Sequence, residues 1–537
     1  MKSFDRWARW LLIFALLAFA VKLQAQFTDG DIAGTVTDPS GAAIIGATVT
    51  ITSLQTGHMD RTQTDKIGYY RAHHLPPGTY QVRIEAAGFK VTVLNDVAVN
   101  ASATTPVDAK LQVGTATETI EVATGAALVQ TEDGRLTNTV STREVENLPL
   151  NGRQVYQLVT EEPGVTATNA PVVSGVPSPT SSVTFNFGFI ANGSTPRGNN
   201  FVLDGTSNNA EWLGGTPLIY PSLDAIQEVQ VQTLNFSAEY GRNNGAIVNI
   251  ITKSGGNDFH GSMFYSGRNT ALDARNFFDN VEKGPERLNQ FGFSFGGPIQ
   301  KDKTFFFMDY GGSRLTDSSP LEVISETPFA RSQAATGSLA AMFFHDFPGP
   351  ACLTAPGPTD LTCLAESPQS EPNRSDQYLV RVDHHINSKN EIFARWDSDL
   401  ASGDVARGEL FTAGIRGFTS PFNGVYSDLA TGFTHQFSSN TLNDFRFSFS
   451  RSVSHISFGM PSDTETAGVL KSAGLPQSDF GWLYMDDGTM AFGGEGFVPR
   501  DFIFNAFKLN DTLLHTTGRH SLKLGFEFNR ESFPIEG

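Results

Sequence analysis

The feature that most constrains this chain is a two-residue alternation of apolar and polar side chains throughout its second half. Phenylalanine or leucine occupies every second position in residues 291–295, 445–449 and 522–528, with glycine or polar residues between them. Because neighbouring residues of a strand point to opposite faces, each segment predicts a strand with one apolar and one polar face. Strands of this kind build either a soluble β-structure or a barrel with lipid outside and water inside.

Nine strands of roughly 10 residues, the length of tilted membrane strands, are predicted from residue 258 onward. They lie near residues 258–267, 288–297, 303–313, 375–386, 389–400, 425–437, 440–452, 505–515 and 519–530. Short turns alternate with long, polar connections rich in glycine and proline, as periplasmic turns alternate with extracellular loops in outer-membrane barrels. This order favours a barrel over a soluble β-sandwich or propeller.

Composition and the absence of catalytic motifs argue against several classes of function. The chain has 38 basic and 56 acidic residues, a net charge of −18, which argues against broad nucleic-acid binding. No nucleophile elbow, phosphate-binding glycine loop, dinucleotide fingerprint or zinc-protease motif occurs. We therefore expect neither an enzyme nor a protein with a cofactor or a metal site.

The N-terminus predicts export. Residues 1–25 combine basic residues with the apolar run Leu11–Val21, which is typical of a cleaved signal peptide; the alternative is a membrane anchor. In an oxidising compartment, Cys352 and Cys363 are expected to form a local disulfide within a loop.

Residues 27–113 contain short strand-like runs separated by turn residues, which predicts a small β-sandwich. Their sequences "GTVTDPSGAAIIGATVTI" and "GYYRAHHLPPGTYQVRIEAAGFK" resemble the carboxypeptidase regulatory-like domain. The resemblance implies a non-catalytic, transthyretin-like sandwich. The adjacent His73 and His74 point to opposite faces of a strand and are expected in a loop or on the surface.

The following linker, residues 114–124, contains an extended and β-branched segment. It resembles a TonB box, which implies docking to an energy-coupling partner by strand addition. The alternative is one more strand of the sandwich or of the next domain. The residues concerned are Glu118, Thr119, Ile120, Glu121 and Val122.

Residues 125–255 predict a mixed α/β module with a short helix at 154–159 and strands at 200–206, 228–232 and 245–252. The ordered motifs "LPLNGR", "VLDG", "EVQV", "AEYGR" and "VNIITKSG" resemble the plug domain of Oar-like TonB-dependent outer-membrane receptors. Asp204-Gly205 is expected to be a turn rather than a calcium loop, because only Asp204 supplies a carboxylate there.

The predicted fold is therefore mainly β: a sandwich, a plug domain and, over residues 256–537, the first part of an antiparallel barrel. Nine strands are fewer than the about 22 of plugged transporters, so more barrel is expected beyond residue 537. The resemblance implies an outer-membrane receptor of a Gram-negative bacterium, with its sandwich in the periplasm. Its implied partners are outer-membrane lipid, a TonB-type protein and an extracellular ligand that it would import. The alternatives are an adhesion or polymer-binding protein and a signal-transducing receptor.

Overall fold

The structure is a computed structural model, in which the predicted signal peptide lies outside the described residues. The described residues are 29–114, 119–123, 136–148, 150–167, 189–210, 216–241, 243–274, 286–317, 320–338, 341, 344–345, 351–368, 371–404, 421–438, 440–456, 471, 474, 483–484, 491–492, 500–517 and 520–536. Within these ranges, no helix is long and apolar enough to cross a bilayer.

The N-terminal unit is a sandwich of two sheets. Its strands are β1 Gly30–Thr37, β2 Thr48–Ser53, β3 Met59–Gln63, β4 Tyr69–Leu75, β5 Gly78–Glu85, β6 Val91–Val99, β7 Thr104–Pro106, β8 Ala109–Lys110 and β9 Thr119–Ala123. One sheet has the order β4-β1-β7 with β8 beside β1, and the other has the order β3-β2-β5-β6-β9. Val49 and Ile51 face Ile84 and Val82 across β2 and β5, and all four are fully buried between the sheets. Burial of these alternating apolar residues stabilises the sandwich.

The central module comprises residues 136–252 and is built on a five-stranded sheet with the order β10-β17-β18-β13-β14. Its strands are β10 Leu136–Ser141, β11 Val165–Ala167, β12 Phe189–Ala191, β13 Asn200–Leu203, β14 Thr206–Ser207, β15 Asn209–Ala210, β16 Thr216–Pro217, β17 Ile226–Leu234 and β18 Ile247–Thr252. An α-helix spans Thr142–Asn147, and 3-10 turns span Asn151–Arg153, Val155–Glu161, Pro196–Gly198 and Leu223–Ala225. The short helix predicted at 154–159 is therefore a 3-10 helix.

The second half forms one antiparallel meander. Its strands are β19 His260–Asn269, β20 Arg287–Gln300, β21 Thr304–Asp317, β24 Glu371–Asn387, β25 Asn390–Asp404, β26 Pro421–Ser438, β27 Thr441–Ile456, β30 Arg500–Thr517 and β31 His520–Ser532. They pair in this order, with β32 Ile535–Glu536 beside β30, and are called the large sheet. All nine predicted strands are present, most of them longer than predicted.

Smaller elements lie in the connections of the large sheet. They are the hairpin of β22 Pro320–Glu326 and β23 Thr362–Pro368, the pair β28 Leu483–Tyr484 and β29 Ala491–Phe492, the helix Pro328–Gln333 and the 3-10 turn Thr270–Leu272.

The large sheet has the inverse of a soluble burial pattern. Along β26, Val425 and Leu429 are 45% and 41% exposed, whereas the intervening Tyr426 and Asp428 are buried. The buried face lies against the central module, whose apolar core continues into Phe422, Tyr426 and Phe504 of the large sheet. An exposed apolar face suits lipid, and a polar face covered by a separate module suits the inside of a barrel.

Candidate functional site

The turn after β13 holds Asp204 at the contact between the central module and the large sheet. Asp204 has a φ of +46° and Gly205 a φ of +73°, values that aspartate and glycine tolerate better than most residues. The backbone N–H of Thr252 donates to Asp204 Oδ1 at 2.8 Å, and the Thr252 hydroxyl donates to Oδ2 at 2.7 Å. The end of β18 therefore fixes the carboxylate, which is buried.

Three arginines of the large sheet converge on Asp204, and we call Arg381, Arg395 and Arg446 the arginine cluster. Arg395 is fully buried and donates to Asp204 Oδ2 at 2.5 Å. Its other nitrogens pair with Asp397 and, at 2.6 Å, with Asp428. A planar guanidinium can serve three carboxylates at once because its donors point in fixed, separate directions.

The other two arginines complete the contact. Arg381 Nη1 lies 3.3 Å from Asp204 Oδ1, and its Nη2 lies 2.8 Å from Asp383. Arg446 donates to the backbone carbonyl of Asp204 and, at 2.8 Å, to Asp444. Burial alone would raise the pKa of Asp204, but Arg395, Arg381 and the Thr252 amide together lower it. Asp204 is therefore ionised at neutral pH.

Further polar contacts join the central module to the large sheet near Asp204, whose contact with the arginine cluster we call the anchor. Lys508 donates to the carbonyl of Ser207 at 2.7 Å, and Ser222 donates to Asp309 at 2.6 Å. The central module is thus attached to the large sheet by buried, charge-assisted hydrogen bonds as well as by apolar packing.

The sandwich touches the central module at a second site. The Ala101 N–H donates to Glu228 Oε1 at 2.7 Å, and Gln230 Nε2 donates to the Ala101 carbonyl at 2.5 Å. The loop between β6 and β7 thereby pairs with side chains of β17. Ala101 and Glu228 are both buried in this contact.

The sandwich also meets the end of the large sheet where its connections are short, which we call the rim. His58, His73 and His74 of the sandwich and His385 of β24 form the rim histidines. His58 stacks on His385 with ring centroids 4.6 Å apart, and a nitrogen of His73 lies 2.9 Å from the Thr516 hydroxyl. His74 pairs with Asp29 through Nδ1, and its Nε2 lies 3.9 Å from Glu391.

The rim contact corrects one expectation. His73 and His74 were expected in a loop or on the surface, but both lie in β4, and His73 is only 7% exposed. The rim covers this part of β4, which the periodicity of one strand cannot reveal. No group of three His, Cys, Asp or Glu among the described residues is arranged to hold a metal ion.

The candidate docking segment is only partly described. Glu118 lies outside the described residues, whereas Thr119, Ile120, Glu121 and Val122 belong to β9. This strand adds to the sandwich in parallel beside β6, with Ile120 opposite Thr92. Its role in partner docking remains a prediction.

The cysteine pair lies at the hairpin of β22 and β23. Cys352 and Cys363 are joined in a disulfide with their Cα atoms 5.6 Å apart, so the bond links the segment before β23 to the hairpin itself.

The arginine cluster escaped the sequence interpretation, although a signal was present. Each arginine has an aspartate two residues away on the same strand face, as in Arg381/Asp383, Arg395/Asp397 and Asp444/Arg446. Such pairs of opposite charges recur on the polar face of three strands. Their recurrence indicates that another part of the protein covers this face and buries the charges.

Comparisons with known proteins agree with this architecture. Residues 31–112 match the carboxypeptidase regulatory-like domain, which confirms the sandwich prediction. The chain is 28% identical over 298 residues to the TonB-dependent transporter Oar of Myxococcus xanthus. This alignment covers 52% of this chain and 26% of Oar.

Solved structures give weaker likenesses. The siderophore receptor PirA of Acinetobacter baumannii has a TM-score of 0.48 at 15% identity, over 76% of this chain and 50% of that one. The outer-membrane transporter YddB of Escherichia coli has a TM-score of 0.47 at 11% identity, over 73% and 47%. The chain therefore spans about a quarter to a half of the proteins it resembles.

The large sheet carries the family assignment. Residues 251–536 match the outer membrane beta barrel domain, and these residues contain all nine strands of the meander. The match confirms the predicted barrel and the outer-membrane location. The chain belongs to the outer membrane beta barrel domain family.

Proposed function

We propose that this chain is part of a TonB-dependent receptor that captures an extracellular ligand and admits it to the periplasm by energised displacement of the central module, acting as a plug. The observation that carries the proposal is the anchor of Asp204 on the arginine cluster. A closure built from discrete ion pairs can be broken at defined points and formed again, because the released charges regain water.

The chain path supports a route for the applied force. The candidate docking segment precedes β10, the edge strand of the central sheet, which pairs only with β17 among the described strands. Tension on residues 118–122 would reach β10 first and open its pairing with β17 from one end. Docking by strand addition needs free backbone groups on the segment, so the partner would use β9 in an extended form.

Docking is tested with the full-length receptor in detergent and the purified periplasmic domain of the host's TonB-type protein as the probe. Deleting residues 118–122 is expected to abolish binding measured by biolayer interferometry. Deletion of five residues within 124–130 serves as the matched control and should leave binding within about twofold. Equal binding by both deletion variants and the wild type would refute the docking role.

Displacement is tested in living cells with a membrane-impermeant maleimide as the probe. Ser207 is buried between the central module and the large sheet, so Ser207→Cys reports opening of that contact. Within residues 1–537 the native cysteines are joined in a disulfide, and labelling is read by mass spectrometry from the peptide that contains residue 207. Labelling should be several-fold faster with the TonB-type protein present than in its absence, whereas Lys66→Cys, exposed on the sandwich, should label equally in both strains.

A cross-link sharpens the same test. A Cβ at Gly311 of β21 would lie 3.3 Å from the Ser222 Cβ, within a few tenths of an ångström of disulfide geometry. Ser222→Cys with Gly311→Cys should therefore tie the central module to the barrel wall when oxidised. The partner-dependent labelling of Ser207→Cys, read from its own peptide, should then disappear and return on reduction, while Ser222→Cys alone should not change it. Labelling that persists through the cross-link would contradict displacement of this module.

A second function is favoured by the contact of Ala101 with Glu228 and Gln230, which joins the sandwich to the plug. A ligand that moves the plug would change this contact, so the sandwich could report occupancy to a periplasmic regulator. Deletion of residues 27–113 would then abolish ligand-dependent transcription and leave the maleimide response intact. An adhesion protein would show neither response.

A further inference from the structure

Among the described residues the sandwich contacts both the rim and the central module, and each of these two contacts contains a buried group that gains or loses a proton. At the rim the group is His74, and at the central module it is Glu228. They lie on different strands of different units, so they report on docking independently.

His74 is placed between acids of two units. Its side chain is 14% exposed and pairs with Asp29 of the sandwich and with Glu391 of β25. Burial disfavours the charged imidazole, but Asp29, Glu391 and Asp444 together raise its pKa to about 9. Asp29 stays with His74 when the sandwich leaves, whereas Glu391 and Asp444 do not, so these two acids of the large sheet favour the protonated form in the docked state, against the burial that docking adds.

His74 lines a cavity between the sandwich and the rim, and other ionisable groups lie around it. No group of three His, Cys, Asp or Glu in the described part of the rim is arranged to hold a metal ion. The ionisable residues around His74 are Asp29, His58, Asp60 and His73 of the sandwich, Arg381, Asp383 and His385 of β24, Lys389 of the following turn, Glu391 of β25, and Asp444 and Arg446 of β27. The carboxylates here are surrounded by both permanent cations and histidines.

Glu228 shows the same preference for a different reason. Burial raises its pKa from 4.5 to about 7, and the single hydrogen bond from the Ala101 N–H only partly opposes this shift. The loop around Ala101 belongs to the sandwich, so its departure would return water to the carboxylate. The undocked protein would then hold Glu228 ionised at neutral pH.

We propose that the sandwich is a proton-controlled latch: its docking on the rim and the central module takes up protons at His74 and Glu228, so that it closes at lower pH and opens as pH rises. Both groups bind protons more tightly in the docked state, so the docking equilibrium weakens with rising pH. Glu228 acts between about pH 4.5 and 7, and His74 acts at pH values up to about 9. The inference concerns the isolated receptor and stands whether or not the chain transports a ligand.

The test uses Ala101→Cys in the purified full-length receptor, because Ala101 is fully buried and contacts the central module through its backbone alone in the hydrogen bonds described. The labelling rate with iodoacetamide is divided at each pH by that of Lys66→Cys, which cancels the ionisation of the thiol itself. The ratio should rise roughly tenfold or more between pH 6.5 and 9.

Two conservative variants should move the ratio in opposite directions. Glu228→Gln keeps the acceptor for the Ala101 N–H but never ionises, so it should slow labelling several-fold at pH 8. His74→Asn removes the positive charge and tolerates the left-handed backbone at position 74, where φ is +62°, so it should speed labelling several-fold at pH 6.5. If His74 and Glu228 served only to hold the structure together, both substitutions would weaken docking and both would speed labelling.

A ratio that stays flat with pH, or two variants that change it in the same direction, would overturn the latch. Because Ala101→Cys could itself disturb docking, hydrogen exchange of residues 98–103 in the unsubstituted receptor provides an independent measurement. Exchange of this segment, corrected for its intrinsic pH dependence, should accelerate with pH relative to β2, which lies in the sandwich core. Equal pH dependence of the two segments would also overturn the proposal.

Discussion

The central module and the sandwich are both attached to the large sheet, but by groups with different chemistry. The central module is held by arginines, which stay charged at any pH a cell meets, and by Asp204, whose pKa is lowered. The sandwich is held at the rim in part by His74, whose pKa is raised to about 9 by Asp29, Glu391 and Asp444, so it loses its charge as the pH rises through that value. The contact of Asp204 with the arginine cluster therefore keeps its charges across this range and is called the fixed attachment, whereas the rim contact, called the responsive attachment, includes a group that can lose a proton.

This difference indicates what can open each contact. Buried arginine–carboxylate pairs are costly to separate one partner at a time, so opening the central module requires work on the chain. The rim contact weakens when a proton leaves, so a change in the surroundings is sufficient. The order of the units along the chain places the responsive contact ahead of the fixed one.

The largest expected effect comes from breaking the fixed attachment at its centre. Arg395→Met would leave the carboxylates of Asp204, Asp397 and Asp428 without their shared cation, because Arg395 is fully buried. We expect the free energy of unfolding of the central module to fall by about 3–5 kcal/mol. The measurement is the urea concentration at which trypsin cleaves within residues 136–252.

A control distinguishes charge from geometry at this position. Arg395→Lys keeps the positive charge but cannot serve three acceptors, so its loss should be intermediate. An Arg395→Met protein as resistant as the wild type would mean that the buried ion pairs do not hold the central module.

The next effect separates charge from backbone conformation at Asp204. Asn accepts the left-handed φ of +46° and keeps one acceptor oxygen, so Asp204→Asn removes mainly the charge. The loss should be smaller, about 2 kcal/mol, because the arginine cluster keeps Asp383, Asp397, Asp428 and Asp444.

The pH dependence of this variant follows from the lowered pKa of Asp204. Its contribution is complete above its ordinary pKa of 3.8 and is lost as the pH falls through the lower folded value. In the same urea and trypsin assay, the difference from wild type should therefore be constant from pH 6 to 9. A difference that varied across this range would place the titrating group elsewhere.

The sequence predicted the strands of the large sheet because alternation is a local property. Several of the nine segments carry a clear period-two pattern, as residues 291–295 do, and lipid or a covering module makes that pattern necessary. The predicted ends of the strands were less accurate. Polar residues near the loops continue the backbone pairing but do not extend the apolar and polar alternation from which the strands were predicted.

The site was less predictable because it depends on contacts between distant residues. Asp204 lies 191 positions from Arg395, and the turn chemistry around it explained the aspartate without any partner. His73 was similarly predicted at the surface, because the sequence of one strand does not show that the rim covers it. Local patterns thus predict elements, whereas a site formed by three separate units requires their arrangement.

A smaller effect is expected from a substitution that weakens the responsive attachment but leaves its dependence on pH unchanged. Thr516→Val removes the hydroxyl that lies 2.9 Å from His73 and introduces no titrating group. We expect a loss of about 1 kcal/mol in docking, seen as roughly fivefold faster labelling of Ala101→Cys at every pH. A changed dependence on pH would show that Thr516 takes part in the proton response rather than in docking alone.

The smallest expected effect tests whether the position of an ion pair, rather than its presence, holds the central module. Lys253 and Glu146 lie 2.7 Å apart, but the Glu146 side chain is 48% exposed. Water screens such a pair, so Lys253→Gln should change the free energy of unfolding by less than about 0.5 kcal/mol in the urea and trypsin assay. A loss near that of Asp204→Asn would mean that burial does not distinguish the two pairs, and the contrast between the fixed attachment and an ordinary surface contact would fail.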